Sequence, residues 1–123
     1  MRKRILIIED DPEVRRLMSL NLAARGYEVR EAGSGERGLE ILRQIPVDLV
    51  LLNLTLPGIS GWEVLRELRG DPSLKHIPVI ISSLREEEGR ALREGASAFL
   101  PKPFDIRALI AKVEEVLKGV REG

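Results

Sequence analysis

The chain has 123 residues, 43% hydrophobic and 33% charged, with twenty basic residues against twenty acidic ones. That length suits one domain with a single core, and a balanced charge leaves no net field to attract nucleic acid, so none is expected as a direct partner. The absence of cysteine excludes disulfides and thiol chemistry, and no apolar run nears the roughly 20 residues that a membrane span needs.

The basic start Met1-Arg2-Lys3-Arg4 leads into too few apolar residues for a signal peptide, so no membrane association and a cytoplasmic location are expected. Strand one is read over Arg4 to Glu9. Asp11 is placed to cap the first helix, with Pro12 at its first position and Gly26 ending it. Val14, Leu17, Met18 and Leu22 form that helix's expected buried stripe. Strand two runs from Tyr27 to Ala32, and Ser34 then caps a helix carrying Leu39, Ile41 and Leu42. Strand three, Asp48 to Asn53, shows no polar alternation, as befits a strand covered on both faces. After Leu56-Pro57-Gly58 comes a third helix with Trp62, Val64, Leu65 and Leu68, ending near Gly70. Strand four follows Pro78. The next helix, Glu86 to Glu94, is short and interrupted by Gly89. Strand five is brief, and Asp105 caps a last helix whose Ile106, Leu109, Ile110, Val113, Val116 and Leu117 face inward.

Short apolar runs alternating with segments of helical period are the signature of βα units. Right-handed crossovers then give an α/β fold, a doubly wound five-stranded parallel sheet with helices on both faces. The units fill residues 1–123 without a linker, so one domain and no output domain are expected. Arginine outnumbers lysine, a balance that fits a thermophilic or GC-rich source.

The C-terminal ends of parallel strands share one rim, where ligands bind. Strand one delivers Glu9-Asp10-Asp11 there, strand three Asn53, strand four Ser82-Ser83, and strand five Lys102 between two prolines. Asp11 is accounted for as a helix cap. Adjacent carboxylates at Glu9 and Asp10 repel unless a cation or a lysine compensates, which points to a hard divalent ion such as magnesium on Asp10 with Glu9 supporting. Lys102 is placed to hold a phosphate or carboxylate, and Pro103 makes a cis Lys102–Pro103 bond admissible. The Ser83 hydroxyl either finishes the strand or bonds an anionic oxygen.

These motifs together resemble the receiver domain of bacterial two-component response regulators: Glu9-Asp10-Asp11, Asp48 through Gly61 with Asn53 and Pro57-Gly58, Pro78 to Ser83, Gly95-Ala96, and Phe99 to Phe104 with Lys102-Pro103. The resemblance covers the whole chain and implies a flavodoxin-like strand order 2-1-3-4-5. It implies that Asn53 occupies the phosphoacceptor position, that Ser83 and Lys102 contact the phosphoryl group, and that Ser83 and Phe99 act as the switch. The implied magnesium set is Glu9, Asp10, Asn53 and the Thr55 carbonyl. The implied partners are a sensor histidine kinase or phosphotransfer protein and a downstream effector protein or output domain. They would dock, or a homodimer form, through the helix near Glu86 to Glu94, strand five and the last helix.

Asn53 departs from that family where the chemistry occurs. A carboxamide is a poor nucleophile and forms no stable acyl phosphate, so the chain is expected not to be phosphorylated. It is read as a pseudo-receiver or an inactivated receiver, and not as an enzyme. Removal of one negative charge should also weaken the magnesium site. An alternative, a dinucleotide-binding domain of an oxidoreductase, rests on Gly33-Ser34-Gly35-Glu36-Arg37-Gly38. That pattern follows the second strand instead of the first. An aspartyl-phosphate phosphohydrolase would need an alternating Asp-x-Asp that strand one lacks. His76 is expected at the surface and Trp62 in packing.

Overall fold

The computed structural model describes residues 1–122. In chain order the elements are β1 (Arg4–Ile8), α1 (Pro12–Ala24), β2 (Glu28–Ala32), α2 (Gly35–Gln44), β3 (Leu49–Asn53) and α3 (Gly61–Gly70). They continue with β4 (Val79–Leu84), α4 (Glu88–Arg93), β5 (Ala98–Lys102) and α5 (Ile106–Glu122). The five strands are parallel in the order β2-β1-β3-β4-β5, so the expected doubly wound sheet and its topology are both present.

The sheet divides the core into two slabs, because successive side chains on a strand point to opposite faces. Leu6, Ile8, Val50, Leu52, Val79 and Ile81 pack with residues of α2 and α3 and with Ala91 of α4. Ile5, Ile7, Leu49, Leu51, Ile80 and Leu100 pack under α1 and α5. Strands β1 and β3 are central and apolar on both faces, and β3 is buried throughout. This explains why strand three shows no alternation.

Local signals set the ends of the elements. Asp11 accepts the Glu13 and Val14 N–H groups at 2.9 and 3.3 Å, with Pro12 in the first turn. Ser34 and Ser60 cap α2 and α3 in the same way, and Asp105 accepts the Ala108 N–H at 2.8 Å. Gly26, with φ +94°, closes the turn after α1 in the left-handed region.

Two expectations are corrected. Leu17 is 53% exposed: Val14, Met18 and Leu22 repeat at the four-residue interval of one face, and Leu17 lies about 100° away from Met18. The helix expected from Glu86 to Glu94 begins instead as a 3₁₀ turn, Arg85–Glu87, and only Glu88–Arg93 is α-helical. Neither segment has a side-chain cap at its start, and a six-residue helix containing Gly89 has little intrinsic stability. It is held by Ala91, which is fully buried, and by Arg90, whose guanidinium lies 4.0 Å from the Trp62 ring centroid.

A half-buried arginine, Arg69 of α3, ties the lower loops together. Its Nε donates to the Gly95 carbonyl at 2.9 Å, and Nη1 donates to the Ile77 and Lys75 carbonyls at 2.8 and 3.2 Å. Burial lowers its pKa. Among the described residues no carboxylate pairs with it, so backbone carbonyls solvate the charge.

Candidate functional site

The rim at the C-terminal ends of β1, β3 and β5 gathers Glu9, Asp10, Asn53, the Thr55 carbonyl and Lys102. Glu9 follows β1 directly. Its N–H donates to the Ala32 carbonyl at 3.0 Å and its carbonyl accepts Arg15 Nη1 at 2.8 Å, so the backbone here is fixed from both sides. Its side chain is buried, and Oε2 also accepts the Asp11 N–H at 3.1 Å. Asp10, by contrast, is exposed.

Asn53 ends β3 and is also buried. Its Nδ2 donates to Thr55 O at 2.9 Å, Asp10 Oδ1 at 3.1 Å and Glu9 Oε2 at 3.2 Å. A carboxamide has two N–H bonds, so one hydrogen is shared between acceptors. Its Oδ1 accepts Lys102 Nζ at 3.2 Å. The same ammonium donates to Glu9 Oε1 at 3.1 Å. A closed ring of contacts thus joins the first, third and fifth strands.

The backbone around Asn53 is set by residues whose roles were not visible in the sequence. Gly61, the first residue of α3, packs against the end of β3: a Cβ there would strike the Asn53 carbonyl oxygen and come within 2.6 Å of Leu54 Cα. This contact requires glycine and brings the helix start onto the strand end. Glu36 of α2 accepts the Ile59 N–H at 3.2 Å and lies against Gly58, whose φ is +74°. It pins the loop that carries Thr55. The signal for Gly61 was its place directly after the Ser60 cap; for Glu36 there was none.

Ser83 is buried near the end of β4, opposite Pro101 of β5. Among the described residues its hydroxyl makes no hydrogen bond, so the rim network does not include it. The neighbouring Ser82, opposite Asn53, has a buried hydroxyl without a partner. Phe99 is 4% exposed and packs in the slab beneath α4. The Lys102–Pro103 bond is cis, and His76 is exposed, as expected.

The oxygens of Glu9, Asp10 and Thr55 are hard donors that converge on one point, and two carboxylates plus a carbonyl suit magnesium, which retains several waters. Among the described residues, however, no three His, Cys, Asp or Glu side chains assemble as a metal set. The point of convergence is Asn53 Nδ2. The donor set therefore fits the ion, and the amide orientation does not.

The glycine-rich stretch 33–38 has a packing explanation. A Cβ at Gly35 would sit 2.7 Å from Val64 and 2.8 Å from Ile59, and one at Gly38 would strike Ile8. These glycines bring α2 close to the sheet and to α3, which does not favour a dinucleotide site. No helix among the described residues is long and apolar enough to cross a membrane.

Comparison with known proteins agrees with this geometry. The family model for the response regulator receiver domain matches residues 5–114. A DNA-binding dual master transcriptional regulator of Synechocystis is 36% identical over 118 residues, covering 94% of this chain and 49% of that protein. The chain thus spans about half the length of that relative. Protein PilH of Pseudomonas aeruginosa is 34% identical, over 94% of this chain and 98% of its own. The crystal structure of a CheY-like receiver domain protein from Methanospirillum hungatei superposes with a TM-score of 0.90 at 29% identity, covering 100% of both chains.

Proposed function

The chain belongs to the response regulator receiver domain family, and from that membership we propose that it is a two-component signalling module whose phosphoacceptor position is held by Asn53. One observation carries the reading: the amide sits between the acid pair and Lys102, bonded to both. A nucleophile for phosphoryl transfer belongs in that place. An aspartate oxygen there would attack phosphorus while the donor's P–N or P–O bond broke, with Lys102 and Ser83 receiving the transferred oxygens. Magnesium held by Glu9, Asp10 and the Thr55 carbonyl would neutralise the phosphoryl charge. The carboxamide of Asn53 has no such lone-pair reactivity, so the module works without being phosphorylated.

Its role is then to bind partners through the face formed by α4, β5 and α5: a sensor histidine kinase or phosphotransfer protein, and an effector or output domain. A homodimer would use that same face. Phe99 would couple that face to the rim: it lies on β5, the strand that ends in Lys102, and belongs to the core slab that includes Ala91 of α4. A cytoplasmic module fits this role.

The test is direct. Incubated with magnesium and acetyl phosphate, the chain should gain no acid-stable, base-labile phosphate, whereas Asn53→Asp should gain one per molecule. Stoichiometric labelling of the unchanged chain, with Asn53 intact by mass spectrometry, would refute the reading.

A further inference from the structure

We propose that the Asn53 carboxamide is itself the occupant of the acidic cradle: Nδ2 stands where a cation would, and magnesium enters only by expelling it. This rests on the receiver reading of the rim and concerns how the chain's own side chain competes with that ion.

Nδ2 contacts Glu9 Oε2, Asp10 Oδ1 and Thr55 O at 3.2, 3.1 and 2.9 Å, the oxygens that would ligate magnesium. The orientation is dictated by the partners. Turned over, Oδ1 would face three acceptors and Nδ2 would face the Lys102 ammonium, which can only donate. Coordination of an ion through Asn53 Oδ1 demands that turned-over state. The side chain therefore cannot ligate magnesium and hold Lys102 at the same time. Nor can ion and amide share the cradle, because magnesium draws its ligands to about 2.0–2.1 Å in an octahedron.

The consequence runs against ligand counting. If Asn53 were a ligand, alanine would remove an oxygen and weaken magnesium binding. If the amide is the occupant, alanine clears the cradle, leaves both carboxylates in place and tightens binding.

The experiment titrates magnesium into the unchanged chain, Asn53→Ala and Asn53→Asp, followed by calorimetry and by melting temperature. Expected is the order aspartate tightest, alanine next, asparagine weakest, with alanine about tenfold tighter than asparagine, or ~1.4 kcal/mol. In ¹⁵N spectra of the unchanged chain, the Asn53 side-chain NH₂ signals should stay in place at magnesium concentrations that saturate the aspartate variant. This second readout decides the matter if the alanine variant does not fold cooperatively. Alanine binding no tighter than asparagine, or Asn53 NH₂ signals that titrate together with the aspartate variant, overturns the proposal while the receiver reading stands. Failure of Asn53→Asp to bind magnesium overturns both.

Discussion

Exchange of one atom group at the rim, Asn53→Asp, should destabilise the metal-free protein at neutral pH by about 2–3 kcal/mol. The substitution replaces a donor that faces two carboxylates by an anionic oxygen at the same distances, 3.1–3.2 Å. Loss of hydrogen bonds to charged groups costs about 1.5–3 kcal/mol. Charges about 4 Å apart interact by roughly 4 kcal/mol at an effective dielectric near 20. Repulsion from buried Glu9 therefore about cancels the new attraction to Lys102, while exposed Asp10 is screened by water and adds about 1 kcal/mol or less. The remaining cost is close to that of the lost hydrogen bonds. Denaturant melts in chelator measure it, and the corresponding fall in Tm is roughly 6–12 °C for a domain of this size. In a Lys102→Met background the cost should rise, because the compensating attraction is gone; a double-mutant cycle isolates that coupling. An aspartate form as stable as the asparagine form in chelator would show that the amide does not bridge the acid pair.

Three further outcomes follow from other parts of the fold. Arg69→Met should cost about 2–4 kcal/mol in a denaturant melt, because it strands the part-buried Gly95 and Ile77 carbonyls, and Arg69→Lys should recover less than half, since an ammonium lacks the planar fork. Ser82→Ala should leave stability unchanged or raise it by roughly 0.5–1 kcal/mol, because the hydroxyl is buried without a partner. In acid, Glu28 is held below the usual glutamate range, first by its hydrogen bond from Arg4 and then by Arg30. Its stabilisation is present above the unfolded-state value of about 4.3 and is lost as pH falls through the lower folded value, so Glu28→Gln should melt with a shallower loss of stability below about pH 4.

The strands were legible because a parallel sheet buries both faces of its central strands, so Ile5 to Ile8 and Leu49 to Leu52 read as unbroken apolar runs. The rim followed from topology, since all strand ends share one edge. Asn53 was read in the sequence as the residue ending strand three at the rim, but the direction of its amide was not legible there. A carboxamide offers both a donor and an acceptor, and the choice is made by Lys102, 49 positions away. Arg69 left no trace because its short contacts are to backbone carbonyls, which every residue carries. The start of α4 was misplaced for a similar reason: Trp62 of α3 holds Arg90 in place, and no cap marks the boundary.

The ring that joins the three strand ends has a consequence for the order in which the protein is made. Lys102 meets Glu9 across 93 positions, so a chain emerging from the ribosome presents its acid pair long before the ammonium that will face it exists. Asn53 lies midway, 44 positions after Glu9, and its contacts with Glu9, Asp10 and the Thr55 carbonyl use no residue of β4 or β5. An aspartate in its place would add a further anion to the unfinished edge. The neutral side chain thus gives the acid pair a partner within the first three strands, independent of the fifth.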